Sequence, residues 1–258
     1  MKALLQTLYM AERGLMSLLR QPFWIVFTLV QPIIWLVLYG QLFRRVVELP
    51  GFETGSYITF LTPGIVVTTA LFAGGWNGMS LINDLDRGII DRFLLTPASR
   101  FALIAGRIVS LSIPVVVQSL ILIGLGFIMG ARFAGGLTGI VLLFASSILL
   151  AAAFGALSNA LALTVRREES VIGASNMLLL PLTFLSPTYM AKALMPGWMR
   201  GVSLANPVSW SVEASRDALI SPHPDWAGVS LRFAALVALA FFSVWVATGS
   251  FRAYQRSI

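Results

Sequence analysis

The chain has no cysteine and one histidine. Without thiols it forms no disulfide, performs no thiolate chemistry and builds none of the zinc sites that need cysteine beside histidine. The missing cysteines assign no compartment. His223 lies between Pro222 and Pro224, a loop setting in which an exposed imidazole is expected rather than a catalytic one. Lysine is scarce as well. Lys2 and Lys192 follow Met1 and Ala191, so the Gly-Lys-Ser/Thr of a Walker A loop cannot be assembled. No serine is followed by glycine, which removes the Gly-x-Ser-Gly pattern of rhomboid-type intramembrane proteases. These absences argue against an enzyme: no catalytic residue and no metal ligand set is expected.

Charge is the other shortage. The chain is 11% charged against 57% hydrophobic, with a mean hydropathy of +0.85, which places it in the membrane class. Lys+Arg 18 outnumber Asp+Glu 11, a net charge of +7. In a soluble protein that excess would suggest nucleic acid. Here the basic residues sit mostly beside the ends of apolar runs, where they set topology and meet lipid headgroups. Membrane lipids are therefore expected partners and nucleic acid is not.

The pattern predicts an all-α membrane protein forming one domain, 1–258. Over residues 1–20, Leu4, Leu8, Leu15, Leu18 and Leu19 share one helical side and Lys2, Arg13 and Arg20 the other, which predicts an interfacial amphipathic helix retained in the mature protein. Six charge-free stretches follow: Gln21–Phe43, Thr54–Asn83, Ile108–Ala131, Phe133–Val165, Ser170–Ala191 and Phe233–Phe251. A span needs about 20 apolar residues to cross a core ~30 Å thick, so six transmembrane helices are expected. The fourth stretch begins Phe-Ala-Gly-Gly and should carry loop there. Prolines 32, 63, 114 and 181 fall in or near spans. Gly124, Gly126, Gly130, Gly155 and Ala156 offer close helix approach. Placing both termini inside puts eleven of the 18 basic residues there, among them Arg87, Arg92, Arg100, Arg107, Arg166 and Arg167, an orientation the positive-inside bias favours.

Segment 186–228 is too long for a turn and too apolar for a solvated loop. Trp198, Trp210 and Trp226 are spread along it and Pro187, Pro196, Pro207, Pro222 and Pro224 divide it. Short helices are expected near Pro196–Leu204 and Trp210–Ile220. We read the segment as re-entrant from the external side, with its irregular backbone shielded by the bundle; a lid lying flat on the surface fits the residues equally.

The spans contain no charged residue of the kind that serves proton or ion coupling. Asn77, Asn83, Gln118, Asn159 and Asn176 are the main strong hydrogen-bonders there, and interhelical ties are their expected use. Charge concentrates instead in 81–100, which holds Asp84, Asp86, Arg87, Asp91, Arg92 and Arg100. Leu81, Leu85, Ile89 and Phe93 recur every fourth position, predicting a short amphipathic helix that Thr96-Pro97 ends.

These pieces resemble a permease subunit of the type-2 ABC exporters over nearly the whole chain. The most specific are Leu61-Thr-Pro-Gly64, Asp84-x-x-Arg-Gly-x-x-Asp-Arg-Phe93 with Thr96-Pro-Ala-Ser-Arg100, Gly106-Arg107, Ala205-Asn-Pro207 and Glu213-Ala214. The charged segment and the Gly-Arg look closest to the daunorubicin-resistance type, while capsule, O-antigen and teichoic-acid exporters share the plan. The resemblance implies that a separate cytoplasmic ATPase, in two copies, binds ATP and Mg, leaving no cofactor in this chain. It implies a second permease copy or a paralogue across a two-fold interface. The coupling contact would fall on Asp84, Leu85, Arg87, Gly88, Ile89, Asp91, Arg92 and Arg100. A second contact would fall on Arg166, Arg167 and Glu168, which serve equally as a positive-inside anchor. Spans two and five would line the path, with Asn77 and Asn176 as polar contacts. The implied function is export of hydrophobic or amphiphilic compounds through the cell membrane. Export of polysaccharide or teichoic acid, a stand-alone channel and a structural membrane subunit are the alternatives.

Overall fold

The computed structural model describes residues 22–49, 52, 55–89 and 100–255, and among them every regular element is helical. The interfacial helix expected over residues 1–20 lies outside the described residues. Helix α1 is Pro22–Leu42, followed by a 3₁₀ turn at Arg44–Glu48. Then come α2 (Tyr57–Gly75), α3 (Asn77–Asp86), α4 (Arg100–Ile128), α5 (Gly136–Val165) and α6 (Glu168–Phe184). The C-terminal part holds α7 (Gly197–Ala205), α8 (Pro207–Ile220) and α9 (Trp226–Gln255).

Among the described residues, four helices are long and apolar enough to cross a membrane: Tyr57–Asp86, Gly106–Ile128, Gly136–Val165 and Trp226–Tyr254, with Phe27–Leu42 as a shorter apolar helix. All four prolines expected near spans lie inside helices. The fourth run opens with loop, as its Phe-Ala-Gly-Gly start indicated, and α5 begins at Gly136. The fifth run differs. Its helix has 17 residues and stops at Phe184, about 26 Å at 1.5 Å per residue, after which the chain folds back through Ser186–Met190.

Helix α5 is the hub, packing against α2, α3, α4, α6, α8 and α9. Its sequence explains this. The run Ala151-Ala-Ala-Phe-Gly-Ala156, with Ser146, Ser147 and Ser158, is buried, and small side chains let helices approach from several sides. The glycines sort by what faces them. A Cβ on Gly155 would meet Leu111 Cδ2 at 2.9 Å and one on Gly126 would meet Thr62 Oγ1 at 2.8 Å, whereas Gly124 has open space. Gly130 is a helix stop. At φ +93° it donates to Phe127 O (3.0 Å) while Ala131 donates to Gly126 O (2.8 Å), the paired bonds of a glycine-terminated helix.

The outer surface is apolar. Phe241 and Trp245 are each 72% exposed, and Phe27, Ile128, Leu137 and Met177 exceed 70%. Such a surface is stable against lipid and aggregates in water.

The segment after α6 is structured. Helices α7 and α8 lie close to the expected short helices, and α8 enters the bundle. Asn206 caps α8, its Oδ1 accepting from Val208 N (2.9 Å) and its Nδ2 donating to Leu182 O (2.7 Å). Pro207 follows at the first helical position, where its missing N–H costs nothing. Val208, Ser211, Val212, Ser215 and Leu219 are buried against neighbouring helices.

Candidate functional site

The charged end of the second span was expected as a separate helix with one stripe from Leu81 to Phe93. Instead helix α3 starts at Asn77, one residue after α2, and ends at Asp86. Arg87 N donates to Asn83 O (3.2 Å), Gly88 N donates to Leu85 O (2.9 Å), and Gly88 takes φ +63°. A left-handed residue ends an α-helix, and glycine adopts it without a Cβ penalty, so the rhythm is broken there although Ile89 is helical again.

The apolar stripe of α3 faces the bundle. Leu81 (0% exposed) and Ile82 (2%) pack with Ala160, Leu163, Val171, Ala247 and Phe251, and Leu85 lies against the same cluster. Two polar clasps hold the polar side. Arg107, on α4, donates through Nη1 to Asp84 Oδ2 (2.6 Å) and through Nη2 to Ser80 Oγ (2.8 Å). Asn83 Nδ2 donates to Glu168 Oε1 (2.6 Å) at the start of α6. Thus Asp84 and Glu168 are tied within the chain, and Arg166 lies over the Tyr254 ring at 4.7 Å. Arg87 and Arg167 are exposed. Asp91, Arg92 and the side chain of Arg100 lie outside the described residues.

Asn77 and Asn176 each have a partner on another helix. Asn77 Nδ2 donates to Asn159 Oδ1 (3.4 Å), and Trp76 Nε1 donates to Asn176 Oδ1 (3.3 Å). Gln118 Nε2 donates to Thr28 Oγ1 (2.8 Å). Interhelical ties therefore occupy the amides read as such from the sequence.

Two features at the opposite end escaped the sequence reading. Arg216, on α8, places its guanidinium 3.5 Å from the centre of the Phe60 ring. It donates to Phe60 O (3.2 Å), Pro187 O (2.9 Å) and Thr188 O (3.3 Å), so it pins the fold-back after α6 to α2 and α8. Glu213, one turn earlier, pairs with Lys192 (2.8 Å) and Arg232 (3.0 Å). The available signal was the small-residue face Ser211, Ala214, Ser215 and Ala218, which marks α8 as a buried helix.

Long apolar helices with lipid-compatible surfaces and a clasped, charged helix end define a multi-pass integral membrane protein. The chain belongs to the ABC-2 type transporter family, which matches residues 5–220. It is 29% identical over 207 residues to the daunorubicin resistance ABC transporter permease protein DrrB1 of Streptomyces coeruleorubidus, covering 80% of this chain and 72% of that one. It is 29% identical over 237 residues to a protein of Cyanophora paradoxa described as a transport permease, ycf38, covering 91% and 79%. It is 23% identical over 211 residues to a Mycobacterium tuberculosis protein described as a doxorubicin resistance ABC transporter permease, DrrC, covering 82% and 75%. As a permease of this family the chain carries no ATPase domain, and its class works with an ATPase subunit.

Proposed function

We propose that this chain is the membrane-spanning subunit of an ATP-driven exporter that moves hydrophobic or amphiphilic compounds out of the cell. The observation that carries the reading is the turn Asp86–Gly88, exposed at Asp86 and Arg87, at the end of a helix tied to both neighbours, through Arg107 on α4 and Glu168 on α6. A push on that turn reaches three helices together. In this reading the turn and the residues after it, with Asp91 and Arg92, seat in a cytoplasmic ATPase. Arg87 and Arg92 make charge-assisted contacts there, while Asp84 and Leu85 hold the helix to the bundle.

The complete bundle in this reading has six spans, with both termini inside, the 186–228 segment re-entrant from outside, and an interfacial helix at 1–20. Two copies, or one with a paralogue, pair with two ATPases, and α2 and α6 line the path beside Asn77 and Asn176. Arg166 and Arg167 form a second contact or a topology anchor. ATP-driven closure of the ATPases shifts the bundle between inward- and outward-open states. The drug-resistance relatives support an apolar cargo.

The test is export in membranes holding the chain and an ATPase that co-purifies with it. Arg87→Glu and Asp91→Lys are expected to abolish transport while the complex still assembles. Full export by both variants removes the coupling role, and flux through the chain without an ATPase makes it a channel.

A further inference from the structure

Between α2 and α3 the helical hydrogen-bond ladder is interrupted at a place where other helices supply the replacements. In an unbroken helix the Met79 amide would bond to Gly75 O; here it bonds to Trp76 O at 3.1 Å. Gly75 O instead accepts two hydroxyls, Ser158 Oγ on α5 at 2.6 Å and Ser175 Oγ on α6 at 2.7 Å. The Gly78 amide, which would bond to Gly74 O, donates to Ser158 Oγ at 3.0 Å. The Ser158 hydroxyl thus sits inside the ladder, accepting from one side of the break and donating to the other. Ser158 and Ser175 are 5% and 7% exposed, so water does not compete for these groups.

The glycines make the insertion possible. A Cβ on Gly74 would strike the backbone of Ala151, and one on Gly78 would strike Ser158 O. With hydrogen in those places, α5 lies directly on the α2–α3 backbone. An interruption by an inserted side chain is a recognised cause of sharp helix bends. Gly75 O, Gly78 N and Met79 N each keep a partner at the break, as each would in a continuous ladder, so these backbone groups are paired in either arrangement. That condition lets a helix hold two discrete shapes.

We propose that Gly74–Gly78 is a joint in the second span, held by the Ser158 and Ser175 hydroxyls, about which α3 swings relative to α2. Ser158 and Ser175 are positioning residues: they take over the bonds the helix gives up and set the angle of the charged end. That this motion carries force from an ATPase rests on the exporter reading; the joint itself does not.

The experiment is a spin-label distance measurement on the full chain in lipid nanodiscs. Because the chain has no cysteine, paired labels at Asp86→Cys and Leu137→Cys carry no background, and dilution into unlabelled chain isolates the distance within one copy. A second pair, Leu137→Cys with Leu231→Cys, monitors the opposite end, where both residues are more than 70% exposed. Removing both hydroxyls in Ser158→Ala/Ser175→Ala is expected to move the Asp86 label by about 5 Å, the swing of a ten-residue helix through about 20°, or to split its distance distribution. The Leu137–Leu231 distance stays within about 1 Å by the same lever-arm geometry. Ser175→Ala leaves the Ser158 bonds in place and is expected to give a smaller shift, which keeps the measurement available if the double variant does not fold. An unchanged Asp86 distance in both variants, or an equal change in both label pairs, overturns the joint. With the ATPase present, the double variant is expected to hydrolyse ATP and lose more than tenfold in transport. Unchanged transport with a clear label shift removes the joint from the coupling route and leaves the joint itself standing, whereas absence of ATP-dependent transport by the parent chain rejects the exporter reading.

Discussion

Replacing Arg216 by lysine keeps the charge and loses the fork. Three carbonyls, Phe60 O, Pro187 O and Thr188 O, lie around the guanidinium, and an ammonium on a flexible stem cannot address that spread while lying over the Phe60 ring. Both Arg216→Lys and Arg216→Met are therefore expected to cost about 2–3 kcal/mol, the worth of hydrogen bonds to a charged group, read as a lowered midpoint of thermal unfolding in detergent. Equal stability of the lysine variant and the parent would show that only charge is needed there. Arg107 and Asp84 make a smaller case. Their side chains are 15% and 23% exposed, and a double-mutant cycle with alanine is expected to give about 1 kcal/mol of coupling. Their value is placement, since the pair fixes α3 against α4. The residues of this clasp were visible in the sequence as charged positions. Their mutual engagement was not, because Asp84 and Arg107 are separated by a turn and by the start of another helix, and nothing local predicts that they meet.

At the scale of the element, the helix expected near Trp210–Ile220 ends where α8 ends but starts earlier, at Pro207, because Asn206 supplies an N-cap and proline suits the first turn. Asn206→Ala is expected to destabilise by about 1 kcal/mol, with roughly fivefold faster amide exchange in the first turn of α8. Unchanged exchange would place the role of Asn206 in its bond to Leu182 O. The α3 end was misread for a physical reason. A four-residue apolar rhythm continues across Gly88, but periodicity does not register backbone handedness, and the φ of +63° at Gly88 stops the helix. The same blindness hid the interruption at Trp76, where the local sequence Ala-Gly-Gly-Trp-Asn-Gly is compatible with a continuous helix. Ser158 and Ser175, 83 and 100 residues away from Gly75, supply the groups that replace its ladder bond.

For the whole molecule, the exposed apolar surface is the ruling fact. A charge at Phe241, which is 72% exposed near the middle of α9, would be tolerated on a water-facing helix. Here Phe241→Asp is expected to cost about 3 kcal/mol on insertion, seen as loss of membrane-integrated protein in expression trials; normal integration would mean that this face is covered by protein or water. The membrane class, the apolar runs and the absence of a nucleotide motif follow from the sequence by itself, because hydrophobic length and the presence or absence of a Walker lysine are properties of the chain read one position at a time. Among the described residues, the four long apolar helices and the short helices of the C-terminal part followed from the same reading, whereas the shortened α6, the interruption at Trp76 and the early end of α3 did not. What only the tertiary structure decided is which polar groups share a bond: Arg107 with Asp84, Glu168 with Asn83, Arg216 with three carbonyls, and two serines with Gly75. In the bundle interior, where water does not compete, a backbone group such as Gly75 O must find its partners inside the protein, and for the buried and the exposed pairs alike those partners come from helices that meet only when the bundle has formed.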